Sequence, residues 1–147
     1  MPIYHIQHSS QNPQSPLHQS KEGFKFKKLV APILNEPIIV KDVNSAFIGT
    51  KLHEQLADSM INSLVMVGLT TNHCVSTTAR MAANLGYEVY IISDATAAFD
   101  RVGINGIRYS AEVIHHTSLA SLHTEFAEVI TTSELINLLS QTNKPAI

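Results

Sequence analysis

The stretch that most constrains the fold is residues 63–69, Ser-Leu-Val-Met-Val-Gly-Leu, an apolar run without alternation. A strand with one wet face alternates apolar and polar side chains. A run that does not alternate reads as a strand covered on both faces, the situation of parallel strands flanked by helices. The next residues agree. Residues 74–85, CVSTTARMAANL, have helical composition and stop at Gly86, a residue suited to the left-handed position past a helix end. Residues 88–94, EVYIISD, read as the following strand. Upstream, residues 37–41 read as a strand. Leu52, Leu56 and Met60 then predict a helix over 51–60, with Thr50 as its N-cap. Downstream, residues 95–109 read as loop. Ile114, Leu119, Leu122 and Phe126 mark a helix face over about 110–126. Residues 127–132 read as a strand, and 133–139 as a short helix capped by Ser133 or Thr132. Strand and helix alternate from residue 37 onward. The fold class is therefore α/β, an open, mostly parallel, doubly wound sheet of Rossmann-like type. The length of 147 residues suits a single domain.

Residues 2–7, PIYHIQ, form a short β-rich run, and a long polar loop follows over residues 8–32. Phe24 and Phe26 stand out in that loop, either as lid anchors against a ligand or as residues that pack the loop down. Apolar residues make up 44% of the chain and charged residues 15%, which fits a globular protein. The net charge of −2 comes with no basic stripe, so neither a nucleic-acid nor a membrane-surface partner is indicated. The apolar runs are far shorter than the roughly 20 residues a membrane span needs. A lone cysteine forms no intramolecular disulfide, and a cytoplasmic location is expected.

In open α/β folds, ligands bind beyond the carboxyl ends of the strands. Lys41, the Gly68–Cys74 segment and Asp94 fall there. Cys74 has two readings. A lone cysteine is commonly a small buried hydrophobe. In the first turn of a helix, however, unpartnered amides and the helix dipole favour the thiolate and can hold an oxyanion. Thr70, Thr71 and Asn72 before it are small and polar, leaving room for a substrate carbonyl. Lys41 is likewise either a solvated strand end or a catalytic cation. The eight histidines are scattered. His5 and His8 lie on one strand, and adjacent helical residues 115 and 116 diverge, so no convergent metal-ligand set is read and no metal or cofactor is expected. His8, expected at a strand end near Cys74, is a candidate substrate contact.

Three segments together resemble the isochorismatase-like cysteine hydrolases, the superfamily that includes nicotinamidases. They are GLTTNHCVSTTARMAANLGYEVYIISDATAAFD (68–100), VKDVNSAFIGTKL (40–52) and SLASLHTEFAEVITTSEL (118–135). PIYHIQHSS (2–10) fits that family's second strand. The resemblance implies Cys74 as nucleophile and Lys41 as the triad lysine. It implies a non-proline cis peptide at Leu69–Thr70, and an oxyanion hole from the Thr70 and Cys74 amides. Asn44, Ser45 and Phe47 would line the pocket with Thr71 and His8. The expected reaction is hydrolysis of a small molecule without a cofactor; the resemblance favours a C–N amide bond and leaves open a vinyl ether such as isochorismate, which the superfamily also cleaves by a route that does not need the cysteine. The expected assembly is a homo-oligomer.

One family feature has no counterpart. The triad aspartate belongs to a pattern like Leu-Leu-x-Ile-Asp-x-Gln at the end of the first strand, which the family's 3-2-1-4-5-6 strand order puts mid-sheet. The chain therefore reads as a family domain over 1–147 lacking the N-terminal strand and helix. Three explanations stay open: a fragment, a gap filled by a partner chain, or direct pairing of strands 2 and 4 with degraded activity. The alternative function is accordingly a catalytically impaired or non-catalytic binding or assembly subunit.

Overall fold

Period-two alternation in a four-residue strand decides where the first charged candidate goes. The computed structural model describes residues 1–142 and divides into two units, Met1–Ile61 and the chain from Asn62 onward. In the first unit, strands β1 (His5–His8) and β2 (Ile38–Lys41) pair in parallel, with His5 opposite Ile38 and His8 opposite Lys41. Successive β2 side chains point to opposite faces. Ile39 and Lys41 take the buried face, while Ile38 and Val40 remain about half exposed. Lys41 is thus only 4% exposed, and the reading of a solvated strand end does not hold.

Helix α1 (Leu52–Asp58) buries Leu52 and Leu56, one turn apart. The helix begins at Leu52, so its N-cap is Lys51, without a side-chain cap bond, rather than the expected Thr50; Thr50, one residue earlier, accepts from the Leu52 N–H at 3.3 Å through Oγ1 and donates to the Ala46 carbonyl at 2.5 Å. Met60, expected on the same buried stripe, is 89% exposed. The helix stops at Asp58, and Met60 turns left-handed with φ 54°. The long segment between β1 and β2 contains two short 3₁₀ turns, Glu22–Phe24 and Lys28–Val30. It is tied to β1. Phe26 meets the His5 ring edge-on at 5.6 Å, and the Gln7 side-chain amide donates to the Phe24 carbonyl at 2.7 Å. Phe26 thus packs its ring on β1, while Phe24 is engaged there through its backbone carbonyl.

The second unit runs β3 (Ser63–Leu69), α2 (Ser76–Asn84), β4 (Glu88–Ala97), β5 (Arg101–Val102), β6 (Arg108–Tyr109), α3 (Ala111–Leu122), β7 (Glu128–Ile130) and α4 (Thr132–Thr142). β3, β4 and β7 form a parallel sheet in the order β3-β4-β7. β4 is central and supplies the core residues Val89, Ile91 and Ile92. Ala79 and Ala82 of α2 and Leu119 and Leu122 of α3 are buried with them. The segment expected to be loop contains the end of β4 and the antiparallel β5–β6 hairpin, whose turn uses Gly106 at φ 76°. β4 is longer than its apolar run because of a bulge. Pairing with β3 jumps from Met66–Ile91 to Gly68–Thr96. Within the bulge the buried Thr96 hydroxyl donates to the Ile92 carbonyl at 3.2 Å.

The fold is α/β with mostly parallel sheets, as expected. The continuous sheet, however, is found as two pieces, β2-β1 and β3-β4-β7. The consequence shows on β3. Its apolar run predicts cover on both faces, yet Val67 is 61% and Leu69 56% exposed, because β3 is an outer strand of its sheet.

α4 starts one residue earlier than expected and is capped by neither Ser133 nor Thr132. Thr131 Oγ1 accepts from the Glu134 N–H at 3.3 Å, and Glu134 Oε2 accepts from the Thr131 N–H at 2.7 Å. This is a reciprocal capping box. Asp94 adds to it by accepting from the Thr132 N–H and hydroxyl at 2.8 and 2.9 Å. Thr131→Ala is expected to destabilise α4 by about 1 kcal/mol, read as faster hydrogen exchange of the α4 amides with β4 unaffected.

Candidate active site

Cys74 does not sit in a regular first helical turn. β3 ends at Leu69, the Leu69–Thr70 peptide is cis as the resemblance implies, and Thr71–Val75 form a single π-helical turn that runs into α2. The Thr70 carbonyl organises the turn. It accepts from the His73 N–H at 3.1 Å and, five residues on, from the Val75 N–H at 3.3 Å. Wide turns of this kind recur at functional sites. Gly68 enters it at φ 115°, a backbone conformation that favours glycine, with no atom within 4 Å of where a Cβ would stand. The thiol is half-buried rather than sealed in hydrocarbon. The amides of His73 and Val75 are already bonded to Thr70, so any oxyanion pocket in this turn must use other N–H groups.

Two side chains just before Cys74 are held by groups the sequence did not single out. Thr71, expected at the substrate, has no exposed surface, and its hydroxyl meets His115 Nδ1 on α3 at 2.9 Å. Arg101, on the hairpin, brings Nη2 within 3.1 and 3.2 Å of the two ring nitrogens of His73. Burial, then the Arg101 charge, lower the His73 pKa, which keeps that ring neutral near pH 7. The available signals were weak: a His-His pair on an amphipathic helix, and an Asp-Arg pair in what read as plain loop.

In the first unit, the Lys41 ammonium lies 3.0 Å from His8 Nδ1 and donates to the Val43 carbonyl at 2.9 Å. His8 is the acceptor in this pair. Burial first, and the Lys41 charge second, hold its pKa below the usual histidine value, so the neutral ring offers Nδ1 to the ammonium. Ser45 is 1% exposed and its Oγ accepts from the Phe47 N–H at 3.3 Å. Phe47 is half-buried and Asn44 exposed.

The His8 shift has a definite pH consequence. Its native pKa lies below the unfolded value of about 6.5, so the native state favours the neutral ring. The associated stability is fully present above about 6.5 and is lost as pH falls through the native pKa. Denaturant titrations at pH 7.5 and 5.0 are expected to show an acid-induced loss that His8→Gln reduces. The remainder belongs partly to His73, whose shift has the same sign.

The other histidines are engaged locally. His5 bonds Glu36 at 2.7 Å, His18 bonds Ser20 at 2.8 Å, and His123 Nδ1 accepts from the Val129 N–H at 3.2 Å. Among the described residues no three His, Cys, Asp or Glu side chains converge to hold a metal. Two aspartates serve as structural acceptors: Asp94 at α4, and Asp100, which accepts from the Arg108 guanidinium and from the Ala111 N–H at the start of α3. Among the described residues no helix is long and apolar enough to cross a membrane.

The lone thiol sits where a strand of a parallel α/β sheet passes into a helix, and comparison with known proteins gives the family. The isochorismatase domain model matches residues 1–134, so the chain belongs to the isochorismatase family, a family of hydrolases. It is 53% identical over 135 residues to the isochorismatase family protein YrdC of Bacillus subtilis, a match covering 92% of this chain and 72% of YrdC. It is 31% identical over 100 residues to Nicotinamidase 3 of Arabidopsis thaliana, covering 68% of this chain and 45% of that one. An isochorismatase-family structure from Chromobacterium violaceum superposes with a TM-score of 0.91 at 37% identity, covering 96% of this chain and 73% of that one.

Proposed function

We propose that this chain hydrolyses the C–N bond of a small amide through a covalent adduct on Cys74, and that Lys41 is required for turnover, the role the family resemblance implies for it. The observation that carries the reading is the Cys74 turn itself: a partly exposed cysteine in a π turn between the end of β3 and the start of α2. Membership of the hydrolase family and the likeness to a nicotinamidase support an amide as substrate class. In the reaction, the thiolate sulfur bonds to the carbonyl carbon and the carbonyl electron pair moves to oxygen, where amides of the turn stabilise it. Collapse breaks the C–N bond, and nitrogen leaves as ammonia after taking up a proton. Water then attacks the thioester and releases the acid and the thiol. Asn44, Ser45 and Phe47 are assigned to the substrate pocket by the family resemblance, and His8 by its place at the carboxyl end of β1.

The competing reading is a binding or assembly subunit without turnover. It is favoured by the engagement of two aspartates of the second unit, Asp94 and Asp100, as acceptors at helix starts rather than as bases at Cys74. Ammonia release from a panel of small primary amides, combined with intact-mass detection of an acyl adduct, separates the two. The proposal expects ammonia and an added mass that maps to Cys74. A panel that yields neither ammonia nor adduct hands the chain to the binding reading.

A further inference from the structure

The π turn is fixed from outside by α3. We propose that His115 is a positioning residue for Cys74, acting through Thr71; this rests on the reading of Cys74 as nucleophile. Thr71 opens the turn, and Cys74 follows three residues later. The Thr71 side chain is completely buried, so its hydroxyl has no recourse to water, and a buried hydroxyl left without a partner costs about 1–3 kcal/mol. Its partner is His115 Nδ1 at 2.9 Å. A hydroxyl on its own rotates freely; bonded to an imidazole carried by a fixed helix, it takes one direction.

α3 is well suited to serve as that fixed support. Its N-terminus is capped by Ser110 Oγ, which accepts from the Val113 N–H. Asp100 holds the same end, accepting from the Ala111 N–H at 2.8 Å while also binding Arg108. Farther along, Leu119 and Leu122 are buried in the core. The hairpin tied down by Asp100 also carries Arg101, which contacts His73 next to the thiol. The two side chains that lead up to the nucleophile within the turn, Thr71 and His73, are therefore referred to the same assembly of α3 and hairpin. Releasing Thr71 lets the wide turn relax toward ordinary helical register and shifts Sγ. A displacement of about 1 Å at a reacting atom can cost about 10²-fold in rate.

The test follows Cys74 by iodoacetamide alkylation across pH and, in parallel, ammonia release with kcat and KM separated, in the full chain. His115→Ala is expected to change the pH profile of alkylation and to lower kcat by about 10–100-fold, with KM within about twofold. His115→Asn, whose Oδ1 can stand near the Nδ1 position, is expected to restore most of both. Thr71→Val is expected to reproduce the His115→Ala loss, and the double variant to add nothing, because the two residues form one unit. Melting curves show which variants are folded; if His115→Ala is not, the comparison of His115→Asn with Thr71→Val decides. An unchanged alkylation profile in folded His115→Ala, or full additivity of the two changes, overturns the proposal. An altered alkylation profile with ammonia release that persists in Cys74→Ala supports the positioning of the turn and refutes the catalytic reading of Cys74 instead.

Discussion

Cys74→Ala is expected to lower ammonia release from any amide the chain accepts by about 10³-fold or more. The unfolding free energy is expected to stay within about 1 kcal/mol. The two halves of this expectation come from different features. The rate falls because nothing else near the turn can take over the sulfur's role: serine and threonine hydroxyls are poor nucleophiles without an adjacent base, and water must attack a carbonyl that is no longer held as a thioester. The stability survives because the sulfur is half-buried and the turn is built by backbone and neighbours. The Thr70 carbonyl, Thr71 with His115, and the buried Val75 all remain. Cys74→Ser is the sharper control, since it keeps shape and polarity and changes only nucleophilicity. Activity that survives both substitutions would remove the thiol from the mechanism.

Sequence periodicity made the fold legible wherever burial on one element determined it. The strand at 37–41 and the helix stripe through Leu52 and Leu56 are found where the pattern put them, and so is the apolar run at 63–69. Periodicity failed where a backbone irregularity decided the outcome. Nothing in Val-Ile-Thr-Thr announces that Thr131 rather than Thr132 or Ser133 closes the capping box; that depends on Glu134 reaching back, a contact three residues away. The β4 bulge is equally silent, because a buried threonine that bonds its own strand looks like any other residue in a loop. The apolar character of Val67 and Leu69 correctly identifies a strand fit for an interior place, yet here they are on an outer strand. A sequence pattern reports the environment a segment is suited to, and the neighbours present decide whether it is met.

The candidate site was legible in its chemistry and less so in its supports. Cys74 and Lys41 stood out because a thiol and an ammonium at strand ends are rare enough to ask about. His115 did not, because a helix histidine facing a buried threonine 44 residues away in sequence leaves no local pattern. Lys41 shows the limit of composition-based expectation most clearly. A lysine after Ile-Ile-Val ordinarily extends into water. The alternation of β2 instead gives it the same face as Ile39, and the neutral His8 ring together with the Val43 carbonyl makes that burial tolerable.

Lys41→Met is therefore expected to separate stability from activity. Methionine keeps most of the volume and removes the charge. The loss of donors to His8 and Val43 costs about 1–3 kcal/mol, while release from burying an ammonium returns an amount of similar or larger size. The net change in unfolding free energy is expected to lie near zero. The rate of ammonia release is expected to fall by about 10²-fold or more, as when a positioned proton-transfer or charge-stabilising group is removed. A third readout ties the result to the pair described above. Without the neighbouring charge, the His8 pKa rises toward the ordinary value, visible as an upward-shifted ring titration by NMR. If Lys41→Met moves that titration and leaves the rate intact, the buried ammonium serves the packing of its own unit and has no part in the chemistry. If it moves the titration and removes the rate with stability unchanged, the charge is kept at this position for catalysis, because a neutral side chain of the same size would have served the fold as well.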